Sequence, residues 1–120
     1  LAKHIKQPTR IKSAGNKVKI IDEFIGKVNS DTSEVSIAKM QSPSGWEEPA
    51  QTPEFDEYTV VLKGSMHVKT DDNHFIIRAG EVFVAKKGER IQYSTPDAEG
   101  AEYIAICLPA FTPQTVNREK

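Results

Sequence analysis

The stretch Glu57-Tyr58-Thr59-Val60-Val61-Leu62-Lys63-Gly64-Ser65-Met66-His67-Val68-Lys69 decides the fold class. It is rich in β-branched and aromatic residues, which suit a pleated, half-buried surface. A period of two puts Tyr58, Val60 and Leu62 on one face and Thr59 and Val61 on the other. A half-solvated strand would alternate apolar with polar, so this one is expected to be covered on both sides. Lys63-Gly64-Ser65 reads as a turn that parts Tyr58–Leu62 from a second short strand, Met66–Lys69.

The same rhythm runs outward in both directions. Val18 to Ile25, Val35 to Met40, Phe75 to Ile77, Val82 to Ala85, Ile91 to Tyr93 and Tyr103 to Leu108 are further strand candidates. Asp71-Asp72-Asn73, Ala79-Gly80, Lys87-Gly88-Glu89 and Thr95-Pro96-Asp97 punctuate them. Ile21 to Val28 comes nearest to a helical pattern, but Gly26 and the β-branched residues argue against it. Many short strands at this spacing predict an all-β sandwich or barrel. Tyr103 to Leu108 is two-faced like the central stretch. Ile104, Ile106 and Leu108 make one large apolar face, while Tyr103, Ala105 and Cys107 make a face of mostly small residues. Small inward side chains leave either room for a ligand or simply tight packing.

A chain of 120 residues predicts one domain with its own core. Apolar and charged contents of 38% and 28% are ordinary for a globular protein, and the formal charge of -1 gives no footprint for nucleic acid or an anionic membrane. The single cysteine, Cys107, has no partner for an internal disulfide. No apolar run is long enough to span a bilayer, and Leu1 to Arg10 lacks the apolar core of a signal peptide. The expectation is a reduced, cytoplasmic protein. Residues 110–120, with Pro113 and then polar side chains, are expected to run over the surface and fray at the end.

Two segments carry a family resemblance. Gly45 to Gly64, with Gln51, Pro53 and Glu57 inside it, has the spacing of the first cupin motif: Gly, five residues, His-x-His, three residues, Glu, six residues, Gly. Gly80 to Thr95, with Gly88 and Ile91, has the spacing of the second: Gly, five residues, Pro-x-Gly, two residues, His, three residues, Asn. The chain therefore resembles the cupins over roughly residues 34–109. The resemblance implies a double-stranded β-helix, a jelly-roll-like barrel, as residues 34–109 of a single domain. Residues 1–33 would be N-terminal strands associated with a homodimer, and 110–120 a C-terminal tail. The glycines and Glu57 stand in register, but the three histidine positions hold Gln51, Pro53 and Ile91. First-row divalent metals favour several N or O ligands, imidazole above all, so no metal and no other cofactor is expected. His67 and His74 fall outside the motif positions and read as packing or surface residues.

Within the cupins, the run from Thr52 through Gly64 and His67, then Ala79-Gly80 through Gln92-Tyr93 and Pro96, is similar to the ethanolamine-utilisation branch. That likeness implies a pocket lined by acidic and aromatic residues rather than a metal centre. It also carries a link to acyl-phosphate-forming kinase activity, although this chain offers only Lys86-Lys87-Gly88 on a turn and no Gly-rich phosphate loop before a helix.

If the motifs hold, Gln51, Glu57 and Ile91 point inward, and alternation adds Thr59 and Tyr93. Tyr103 and Cys107 join from the last strand, and Trp46 closes one rim. Glu57 and Tyr93 are the candidate catalytic pair, and the others are candidate ligand contacts. A desolvated carboxyl has a raised pKa, which suits proton transfer on a small molecule by an isomerase, cyclase or lyase. The alternatives are a structural acid, a ligand sensor without catalysis, or a metal-dependent isomerase or dioxygenase with atypical ligands. Cys107 reads as a small core residue, since no histidine pairs with it in the sequence pattern.

Overall fold

The computed structural model describes residues 1–120 and contains no helix. Nine strands form: β1 (Thr9–Ile11), β2 (Ile20–Ile25), β3 (Ser36–Ser42), β4 (Trp46–Glu47), β5 (Asp56–Lys69), β6 (His74–Arg78), β7 (Val82–Ala85), β8 (Gln92–Thr95) and β9 (Ala101–Leu108). All pairings are antiparallel. The order β1-β2-β3-β9-β5 makes one sheet, with β7 on the other side of the first half of β5. The second half of β5 pairs with β6 and β8, and β8 carries β4.

The two strands expected on either side of Lys63-Gly64-Ser65 are one strand of 14 residues. The glycine bends this strand rather than ending it. Its pairing with β9 shifts register between Val61 and Lys63, and Gly64 follows with φ of 69°. A Cβ at Gly64 would collide with the carbonyl oxygen of Gly100. A bulge followed by a left-handed glycine turns a barrel corner, which lets β5 pass from one sheet to the other. Gly80 and Gly88 do sit in turns between strands, both with positive φ. Val18 is exposed and precedes β2, while the short β1 and β4 lay outside the sequence reading.

Two apolar clusters fill the interior. Trp46, Val61, Met66, Val68, Ile77 and Ile91 belong to the larger, and Phe55, Cys107 and Val116 form the smaller. The tail does not fray away from the body. Glu119 N–H donates to Ala50 C=O at 2.8 Å, Arg118 bridges to Gln51, and Ala110 and Val116 are buried. The tail's apolar residues, spaced among the polar ones, are what hold it down.

Candidate functional site

The inward faces of β2, β3, β9 and β5 meet in three cross-strand rows. Met40 opposes Tyr103, Ala38 opposes Ala105 beside Thr59, and Ser36 opposes Cys107 beside Glu57. The middle row is small, so the sheet cannot fill the barrel, and a cavity of about 330 Å³ remains between the two apolar clusters. That lies within the range of small-molecule sites, roughly 300–1,000 Å³. Trp46, Gln51, Glu57, Thr59, Tyr93, Tyr103 and Cys107 all line it. Ile91 does not. Its backbone exchanges two hydrogen bonds with Gln51, at 2.8 and 2.9 Å, and its side chain lies in the larger apolar cluster. An alkyl side chain in the old histidine position packs sideways into the core instead of reaching the void.

Glu57 is the chemical centre. Tyr93 OH donates to Glu57 Oε1 at 3.2 Å. Burial, reinforced by the nearby Glu48 carboxylate, raises the Glu57 carboxyl from the ordinary 4.5 to about 7, against the opposing pull of Lys19, Tyr93 and Arg118. The residue keeps some accessible surface, as expected for a side chain bordering a cavity rather than sealed in packing. Burial also raises Glu48, with Lys19 and Arg118 opposing. Tyr93 is pushed well up by burial and by Glu57, so its hydroxyl stays a donor. Burial, then Glu57, pushes the Cys107 thiol far up, which leaves it a neutral thiol and no nucleophile.

Several residues at the site escaped the sequence reading. Glu48 is 5% exposed and lies 3.6 Å from Arg118 Nε, a group supplied by the tail. Lys19 is 8% exposed, with Nζ donating to Tyr103 OH at 3.1 Å and lying 4.0 Å above the Trp46 ring. Tyr103 OH is also 2.8 Å from Ser42 Oγ. Trp46 Nε1 donates to Ala14 C=O at 3.0 Å, which fastens the segment before β2 across the opening. A signal for Lys19 was present: Lys19, Ile21 and Glu23 repeat at the strand period, and all three line the cavity. The tail gave no such signal for Arg118.

The donor set does not suit the metal that the fold family implies. The side-chain oxygen of Gln51 is buried without a hydrogen-bond partner, and Glu57 is the only other donor at a metal-ligand position of the motifs. No three His, Cys, Asp or Glu side chains are placed to hold one ion. An amide and a single carboxyl are too few convergent ligands for a first-row divalent cation.

The family model described as ethanolamine utilisation protein EutQ matches residues 48–112, more than half of the chain. Among curated proteins, the chain is 39% identical over 101 residues to the endoribonuclease YbeY of Myxococcus xanthus, a match covering 84% of this chain and 34% of that protein. It is 35% identical over 54 residues to the acetate kinase EutQ of Salmonella typhimurium, covering 45% and 24%. The chain thus spans about a third and a quarter of the length of these relatives. Among solved structures, it superposes on an RmlC-like cupin from Shewanella frigidimarina with a TM-score of 0.71 at 17% identity, covering 90% of this chain and 89% of that one. The fold is therefore the cupin double-stranded β-helix.

Proposed function

From the premise that the chain belongs to the EutQ family of ethanolamine utilisation proteins, we propose that it binds a small organic molecule in the barrel and moves a proton on it through Glu57, without a metal ion. The observation that carries this reading is a carboxyl titrating at about 7 on the wall of a cavity, with the Tyr93 hydroxyl 3.2 Å from it. A group poised near the working pH is both a competent acid and a competent base. Tyr93 orients the carboxyl and holds its charge when the proton leaves. The reaction class is proton transfer at carbon or oxygen: an isomerisation, a cyclisation or an elimination. The nuclease and kinase activities named for the relatives belong to proteins of which this chain spans only a part, and neither is carried over.

The test starts with native mass spectrometry of the purified protein, which is expected to reveal a small molecule bound in the barrel. Incubated in D2O with wild-type protein, that molecule should gain deuterium. Glu57→Gln should bind it and exchange nothing, because the amide keeps the shape but cannot shuttle a proton. Exchange at the wild-type rate in that variant would discard the proposal.

The same reading includes a homodimer in the cytoplasm. Ile37, Ile106, Tyr58 and Val84 form a cross-strand row on the outer face of the larger sheet, and Val82, Val84 and Leu108 are 54%, 46% and 41% exposed. A second copy packed sheet to sheet would cover this row, and β1 and β2 from residues 1–33 widen the sheet that would meet it. A stable interface of this kind buries roughly 1,200–2,000 Å².

A further inference from the structure

Lys19 is a buried cation with no anion in contact with it, although its charge is felt by the Glu48 and Glu57 carboxyls across the cavity. None of the ion pairs in the molecule includes it, so no carboxylate oxygen lies within 4.0 Å of its ammonium. Its partners are all neutral: Tyr103 OH at 3.1 Å, Met40 Sδ at 3.6 Å, and the Trp46 ring face at 4.0 Å. A buried charge is normally paired, because its lost hydration is otherwise unreplaced. A structural lysine would satisfy its protons on carbonyl oxygens or a carboxylate, and Lys19 Nζ donates to neither. The ammonium instead borders the cavity, and the Tyr103 hydroxyl stands next to it, backed by Ser42 Oγ at 2.8 Å.

We propose that Lys19 anchors the charge of the ligand, and that the cavity takes a monoanion whose oxygen sits between the Lys19 ammonium and the Tyr103 hydroxyl, on an aromatic or comparably bulky apolar body. The proposal deepens the reading above: it rests on the cavity being a ligand site, and is independent of proton transfer by Glu57. Two donors 3.1 Å apart can converge on one carboxylate oxygen, with Ser42 turning to donate to the Tyr103 oxygen. The body is set by the lining, where Trp46, Met40, Met66 and Phe55 surround the void. The charge is set by the carboxyls that share the cavity. Glu48 and Glu57 would repel a second negative charge, and the Arg118 guanidinium, which also borders the cavity, is already offset by Glu48 at 3.6 Å.

Trp46 is the only tryptophan, and it touches the anchor, so its fluorescence reports binding directly. Wild-type protein is titrated with sodium benzoate, benzamide, acetate and inorganic phosphate. Benzoate should bind at least roughly tenfold more tightly than each of the others, a difference that ligand charge and body together produce. Lys19→Met should abolish the preference of benzoate over benzamide and melt at a higher temperature than wild type without ligand, because an unpaired buried charge is gone. Lys19→Arg should keep the preference, which holds the test open if the methionine variant does not fold. Equal binding of benzoate and benzamide would overturn the charge anchor while leaving a small-molecule cavity. Acetate or phosphate binding as tightly as benzoate would overturn the bulky monoanion. Binding of no probe would remove the anchor and the ligand site together.

Discussion

Glu57 and Asp97 are both acids bonded to a ring-bearing side chain, yet their carboxyls move in opposite directions. Asp97 accepts from Ser65 Oγ at 2.5 Å and pairs with His67 Nε2 at 2.8 Å, and His67 Nδ1 continues to His74 Nε2 at 2.8 Å. Its side chain is 52% exposed, and the hydrogen bonds from Ser65 and His67 lower its carboxyl below the ordinary 3.8. Glu57 has its own hydroxyl donor, Tyr93, but sits in the barrel beside Glu48, and it rises to about 7. The partner alone does not decide the charge state. On the surface, water carries most of the cost of ionisation and the donors tip the balance; inside, the lost water outweighs the donor. The same barrel thus holds an acid outside whose ionised form is favoured and one inside whose proton is retained up to near neutral pH.

The comparison is broken most severely at the interior site. Glu57→Gln should lower turnover by roughly 10²–10⁴-fold, the usual worth of a positioned acid or base. Asp97→Asn should leave turnover unchanged, as assayed on the barrel ligand that native mass spectrometry is expected to reveal.

Stability against pH separates the two acids next. Between about 4.5 and 7 the folded chain holds a proton on Glu57 that the unfolded chain has released, so this group lowers stability as pH rises through that window. Glu57→Gln should therefore match wild type at pH 4.5 and exceed it above pH 7, by at most about 3 kcal/mol in chemical denaturation. Asp97 has the opposite sign. Its lowered carboxyl contributes stability above pH 3.8, lost as pH falls through its folded value. Asp97→Asn should then melt slightly below wild type at neutral pH, with the gap closing in acid and in high salt, since exposed pairs are screened.

Assembly sharpens the comparison of inner and outer faces rather than of single acids. Val84→Glu on the outer row should turn a sedimenting dimer into a monomer that stays folded, because Val84 is 46% exposed in the single chain. A wild-type chain that sediments as a monomer at micromolar concentration would remove the dimer outright.

The barrel was legible because alternation and turn chemistry are local, and most strand candidates lie within observed strands. Lys63-Gly64-Ser65 misled because the conformation that ends a strand at a turn also bends one at a corner; only the pairing of β5 with partners from both sheets tells them apart. The inward set from β5, β8 and β9 followed from a period of two. Glu48 and Arg118 did not, since one follows the two-residue β4 and the other lies on a tail bridged only through Gln51. Ile91 was misplaced for a different reason: motif position predicts where a ligand would reach, while an alkyl group goes where packing is best.

The central claim is that Glu57 is an acid that exchanges its proton near physiological pH. Carbon-13 NMR of protein labelled at the glutamate side-chain carboxyl, with Glu57→Gln to assign the resonance, measures this directly. The structure predicts a titration midpoint near 7, well above those of the exposed glutamates. A midpoint at or below the ordinary 4.5 would mean that Glu57 is a plain carboxylate at neutral pH, and the acid–base reading of the cavity would fall.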